Sequence, residues 1–405
     1  MGRIVASAAV VAAVTAVLAA WDGQVGRSSA DRTAADVERA ALLRARVRAR
    51  AQARRERVRA ATRRRAEKRR RALLVAKRER GVYAGATSTR VSKALAGIRE
   101  RVYVPNTLDN TLTVIDPRSL RVVARFRAGV LPHHVTPSWD LRTLYVNNTA
   151  ENSLVAVNPR TGRAVRRIPV RDPYNLYFTP DGKRAIVVAE RYQRLDFRNP
   201  RTWRLIKSVP IPGSGVDHLD FSADGRYLLA SDEFSGDLVK VDTVRMRVLG
   251  VLHVGGLPVD VKLAPDRSVF YVANQGVGGV ALIDPRPFRQ VKFLRTGAGA
   301  HGLAVSRDGK RLFVSNRLAG SISVIDFAKR RVVSTWTVGG SPDMLQVSPN
   351  GRQLWVSNRY GSTVSVIATA TGRLIRTIWV GAGPHGLAYF PQPGRFSVGH
   401  NGVYR

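Results

Sequence analysis

The sequence predicts an all-β, seven-bladed β-propeller with four-stranded blades, and three observations predict it. One motif recurs every 42 residues, strand-like alternation of apolar and polar residues fills each interval, and turn-forming residues stand at fixed places within it.

The motif is read in Tyr103-Val104-Pro105-Asn106, Tyr145-Val146-Asn147-Asn148, Val187-Val188-Ala189-Glu190 and Leu229-Ala230-Ser231-Asp232. It continues in Tyr271-Val272-Ala273-Asn274, Phe313-Val314-Ser315-Asn316 and Trp355-Val356-Ser357-Asn358, and ends in a divergent Ser397-Val398-Gly399-His400. Asn106 and His400 are thus seven periods apart, which sets seven blades. Between anchors run an alternating strand such as Ser321–Asp326, a turn, and a second strand such as Arg331–Trp336. Asp116-Pro117, Asn158-Pro159 and Asp284-Pro285 open one turn, and Asp181-Gly182, Asp224-Gly225, Asp308-Gly309 and Asn350-Gly351 close another. These are turn chemistries, so the Asp and Asn residues in them are structural. The first unit lacks its innermost strand, and His385–Tyr389 supplies one from the C-terminal end, which closes the ring without free sheet edges.

Three segments are expected: residues 1–20, a signal peptide or membrane anchor; 21–100, an Arg/Ala-rich helical or disordered spacer; and 101–405, the propeller. An uncharged run from Ile4 to Ala20 follows Arg3, with Val17 and Ala19 small enough for a cleavage site. Seventeen such residues also approach the ~20 that span a bilayer. Export to the cell surface or beyond is the expected localisation, with anchoring if the segment stays uncleaved. Residues 36–80 contain no Gly or Pro and are rich in Ala, Arg, Glu and Leu, which favours helix, yet they show no sustained apolar stripe.

The 405 residues carry a formal charge of +38, from 67 basic and 29 acidic side chains. Residues 39–80 account for +16 of it (19 basic, 3 acidic) and residues 1–38 for −1, which leaves +23 on residues 81–405. Anionic partners follow from that balance: a cell-envelope polymer, a small anionic ligand or, with less support, nucleic acid. Membrane contact is expected only through the N-terminal segment, and the chain is expected to be a monomer. The absence of cysteine excludes disulfides, thiolate metal sites and a cysteine nucleophile, and Cys-x-x-Cys-His haem attachment with them.

The Tyr-Val-x-Asn anchors together with the Thr-Pro-Asp-Gly and Ser-Pro-Asn-Gly turns resemble the YVTN-type β-propeller repeat family over about residues 101–405. Blade three departs from the pattern at Leu195-Asp196-Phe197-Arg198, and so does the stretch after Pro391. The resemblance implies the fold. Among similar propellers are exported binding proteins, lactonase-like enzymes and parts of redox proteins, so activity does not follow from it.

Chemistry is expected where the start of each blade's first strand meets the end of its second, because both lie on one edge of an antiparallel sheet, around the channel mouth. The first-strand starts are His133, Asn175, Asp217, Val259, His301, Asp343 and His385, and the next positions add His134, His218 and Asp260. Five of the seven histidines fall in this two-residue window, where uniform scatter would put about one in twenty. The neighbouring loops add Arg317, Arg359 and Tyr360, with Glu190-Arg191-Tyr192, Arg194 and Asp232-Glu233-Phe234 on the same face.

Three readings follow. The first is an exported, non-catalytic binding or scaffold protein whose ligand sits at this His/Asp mouth. The second is a metal-assisted hydrolase or lactonase-like enzyme, with a divalent cation held by His133, His301, Asp343 and His385. The third is binding of a polyanion or nucleic acid through the basic surface. No Gly-x-Ser-x-Gly nucleophile elbow and no phosphate-binding loop is present to name a reaction.

Overall fold

In the computed structural model, residues 29–79, 82–87 and 91–394 are described. The expected signal or anchor segment and the last anchor, Ser397 to His400, lie outside the described residues. The chain divides into two units, Met1–Ala76 and Lys77–Arg405.

The first unit holds most of a single 51-residue helix, α1 (Ser29–Glu79). Its residues are strong helix formers, and no Gly or Pro interrupts them. Every side chain from Arg39 to Glu67 is exposed, as the missing apolar stripe requires. Among the described residues, no helix is long and apolar enough to cross a membrane.

The second unit is the propeller. Twenty-eight strands, from β1 (Arg101–Asn106) to β28 (Ala388–Phe390), form seven four-stranded antiparallel sheets. Six blades are simple meanders of consecutive strands, and the seventh is ordered β28-β1-β2-β3, where β2 is Thr111–Asp116 and β3 Arg121–Arg127. The chain thus closes as the sequence implies, with a C-terminal strand pairing Val102 with Tyr389 and Tyr103 with Ala388. Numbered from this closing blade, blade 1, the sheets follow the 42-residue period without a slip.

Burial explains the strand order. In blade 6 the strands Ala300–Val305, Arg311–Asn316 and Ser321–Asp326 are almost wholly buried, whereas the outer strand Arg331–Thr337 is largely exposed. Apolar clusters knit adjacent blades: Phe313, Ile322 and Val324 of blade 6 meet Leu345, Leu354 and Val356 of blade 7, and Trp355 and Val364 of blade 7 meet Val102 and Tyr389 of blade 1. Blade three keeps four strands despite its divergent sequence. Asp196, fully buried there, is held by Arg194, Arg198 and the Ser208 hydroxyl.

The stretch before β1 is more than a joint. Tyr83 is buried and its hydroxyl donates to the Leu263 carbonyl at 2.6 Å, while the Val82 amide donates to Pro265 at 3.2 Å. Leu95 is buried against the blade 1 and blade 2 core. Residues 82–87 and 91–98 therefore pack as part of the propeller unit.

Candidate functional site

The first strand of most blades is irregular at one place. Pairing skips from Pro132 to Val135, Val216 to Leu219, Pro258 to Val261, Ala300 to Leu303 and Pro342 to Leu345. In each case two residues face one on the partner strand, a β-bulge that bends the strand and re-aims side chains. The skipped pairs are 133–134, 217–218, 259–260, 301–302 and 343–344, the two-residue window that holds the histidines. The bulges are pinned by serines: Ser315 Oγ accepts from the Gly302 amide at 2.8 Å and donates to the Asp343 carbonyl at 2.5 Å, and Ser231 bridges His218 and Val259 in the same way.

The result is a cluster of five imidazoles. Ring centroids lie 4.7 Å apart for His133–His385 and His134–His385, 5.3 Å for His134–His218, and 5.9 Å for His301–His385. Tyr174 closes it, 4.7 Å from His133 and 6.1 Å from His218. His134 approaches the closing strand so nearly that a Cβ on Gly386 would lie 1.8 Å from its Nδ1, so only glycine fits there.

Two halves of the mouth differ in charge. On one side Asp343, fully buried, accepts from Arg317 Nε at 2.9 Å and from His385 Nδ1 at 2.5 Å, with His301 Nδ1 at 3.2 Å. Arg317 also donates to His301 Nε2 and reaches Gln275 Oε1 at 3.4 Å, and Gln275 in turn donates to Glu233. Arg359 donates to the Thr107 hydroxyl at 3.0 Å. On the other side stand Asp217, with one oxygen 2.7 Å from His218 Nδ1, and the carboxyls of Glu190 and Glu233.

Burial governs the protonation. It pushes His133 down to about 3 and His218 to about 4, and His134, His301 and His385 well below the usual imidazole range, with Arg359 and Arg317 adding to it for several of them. The cluster is neutral. Burial, reinforced by nearby carboxylates, Asp260 and Asp343 for Asp217 and Asp217 for both glutamates, raises Asp217, Glu190 and Glu233 each to about 8. Burial would raise Asp343 as well, but Arg317, His301 and Arg359 outweigh it and hold that carboxyl below its ordinary value.

Most of the residues singled out in the sequence converge: His133, His134, Asp217, His218, His301, Asp343, His385, Arg317 and Arg359 all belong to this assembly. Asp260 does not. Its carboxylate is buried beneath the mouth, paired with Lys262 at 2.8 Å and accepting from the Leu303 amide of the next blade at 2.9 Å, where it clasps blades 5 and 6 together. Tyr360 is 71% exposed and stands outside the cluster.

His133, His301, Asp343 and His385 are brought together, yet among the described residues no group of three or more His, Asp or Glu side chains is arranged to hold a metal ion. The Arg317 guanidinium lies against both Asp343 and His301.

Two participants were missed in the sequence, and both had a signal. Gln275 belongs to the column Thr107, Thr149, Arg191, Glu233, Gln275, Arg317, Arg359, one residue past each anchor, which forms the rim. Tyr174 stands where most other blades have Pro132, Pro258, Pro342 or Pro384. One position further along the rim, Leu108, Tyr192, Phe234, Leu318 and Tyr360 recur at the same period and are 47–72% exposed, an apolar crown around the polar mouth.

No curated protein matches this chain in sequence. Solved structures share the fold. Hydrazine synthase of Kuenenia stuttgartiensis aligns with a TM-score of 0.60 at 19% identity over 70% of this chain and 98% of that one. A Bacteroides fragilis protein with a provisional 6-phosphogluconolactonase name aligns at 0.61 and 18% over 74% and 100%. The dihydro-heme d1 dehydrogenase NirN, in complex with DHE, aligns at 0.56 and 15% over 71% and 74%. At these identities the likeness is one of fold. The family model of YNCE-like beta-propellers matches residues 75–393, from the end of α1 through the closing strand, and the chain belongs to that family.

Proposed function

We propose that this is an exported binding protein whose propeller takes a small anionic ligand at the channel mouth. The observation that carries the reading is the excess of hydrogen-bond donors there. Arg317 and Arg359 are cationic, the five imidazoles are neutral, and the carboxyls of Asp217, Glu190 and Glu233, at about 8, are mostly protonated at neutral pH and donate as well. Such a wall favours carboxylate or phosphate oxygens, and the exposed apolar crown offers contact to the rest of the ligand. Export is supported by the uncharged run Ile4–Ala20 behind Arg3.

Calorimetric titration of the full chain with inorganic phosphate, malonate, citrate and 6-phosphogluconate tests it. Saturable binding of at least one, weakened about tenfold or more in both R317M and R359M, is expected. No binding by any, or binding indifferent to both substitutions, sinks it.

A second reading is hydrolysis without a metal. Glu190 and Glu233, with carboxyls near 8, are suited to act as general acids beside the buried imidazoles. Turnover of 6-phosphogluconolactone by the wild-type chain and its loss in E190Q or E233Q would replace binding with catalysis as the function.

A further inference from the structure

Helix α1 is a second, separate binding element, and we propose that it docks a linear polyanion of repeating phosphates. Between Arg39 and Arg71 it holds 16 basic and only 2 acidic residues. Over 33 residues at ~1.5 Å each, that is about 50 Å of cationic rod. The exposure of every side chain from Arg39 to Glu67 leaves the charge accessible all round.

Three features choose the partner. The cations are arginines almost without exception, with Lys68 the one lysine in that stretch, and a guanidinium pairs bidentately with phosphate oxygens where an ammonium makes point contacts. A helix that lies in a bilayer surface needs a continuous apolar face, whereas Leu43, Val47 and Val58 share their side of α1 with Arg50, Arg54 and Arg65. The stretch has no aromatic residue, so bases would not be stacked and the contacts go to phosphates alone.

The helix also repels itself. Arg44 and Arg48, Arg46 and Arg50, Arg55 and Arg59, and further pairs stand four residues apart, where like charges destabilise helix. A phosphate chain lying along it removes that repulsion, so binding tightens the helix. The interaction weakens steeply with salt because it releases counterions.

The test uses the full chain. Inorganic polyphosphate, a short DNA duplex, and vesicles of equal parts phosphatidylcholine and phosphatidylglycerol are titrated at about 50 and about 200 mM salt, with circular dichroism at 222 nm. Polyphosphate and duplex are both expected to bind, about a hundredfold or more weaker at the higher salt, with a gain in helicity. Six substitutions to Gln, at Arg44, Arg46, Arg48, Arg50, Arg54 and Arg55, keep helix propensity and are expected to weaken both tenfold or more while thermal unfolding of the propeller stays in place. Unchanged affinity in that variant overturns the proposal in favour of the propeller's own charge. Binding of the duplex without polyphosphate overturns it too, and so does tighter binding to vesicles than to either polymer.

Discussion

The two edges of the propeller sheets are built from the same repeats and have diverged to different degrees. On the edge away from the mouth, blade after blade carries the same device: Thr179 to Asp181 at 2.6 Å, Ser222 to Asp224 at 2.7 Å, Ser306 to Asp308 at 2.5 Å and Ser348 to Asn350 at 2.8 Å, each followed by a left-handed glycine. At the mouth, the equivalent positions of the seven blades are His, Asn, Asp, Val, His, Asp and His. A turn is a local problem with one good answer, so four of the seven blades adopt it in full. A ligand is not seven-fold symmetric, and a site for one must break the repeat. Internal divergence therefore marks the site, while internal uniformity marks the scaffold.

The sharpest way to break the comparison is D343A. It strands Arg317 in a largely buried position and removes the acceptor for His301 and His385, so a loss of about 3–5 kcal/mol is expected in chemical denaturation. The matched change on the other edge, D308A, removes two exposed turn contacts, from the Ser306 hydroxyl and the Lys310 amide, and should cost about 1 kcal/mol. Equal losses would erase the distinction between the edges. Between them lies G386A. Its Cβ would collide with His134, and a loss of about 1–3 kcal/mol is expected, whereas alanine at Gly339, where nothing lies within 4 Å, meets only the positive φ of that turn and should cost about 1 kcal/mol.

pH separates the two halves of the mouth. His133 and His218 are held at about 3 and about 4 against an ordinary 6.5, so below about 6.5 the unfolded chain takes up protons that the native state refuses, and stability falls as the pH falls. Asp217, Glu190 and Glu233 are raised to about 8, so above the ordinary carboxyl range the native state keeps protons that the unfolded chain has lost, and stability falls as the pH rises towards 8. The melting temperature should peak near pH 6–7. E233Q should flatten the alkaline limb and, because the same carboxyl opposes the histidines between its ordinary range and about 6.5, steepen the acid limb; an alkaline limb that keeps its slope would assign the carboxyl side wrongly. The effect of D308A on either limb should be the smallest, since that turn lies on the sheet edge away from the cluster.

Much of this was legible without coordinates. The number of blades, the ring closure and the turn residues follow from period, alternation and turn chemistry, because each is settled within a few neighbouring residues or by simple repetition. The shared placement of His133, His134, His218, His301 and His385 at the channel mouth was also legible, since a repeat converts spacing along the chain into position around the ring, but whether their rings meet was not.

What stayed hidden depends on contacts between blades. Asp260 shares the second position of the histidine window with His134 and His218, yet it is turned to Lys262 and the Leu303 amide. Arg317 reads as a rim residue, but its guanidinium reaches down to Asp343. Residues 82–87 and 91–98 fall in the stretch expected to be a helical or disordered spacer, although Tyr83 and Leu95 are buried. By itself the sequence determined the repeat, its seven-fold closure and the ring of candidate groups, because these follow from local propensity and counting. Only the tertiary structure decided which carboxylate faces the mouth, which is spent on a clasp, and which imidazoles stay neutral, because burial and opposing charge exist only once separate blades meet.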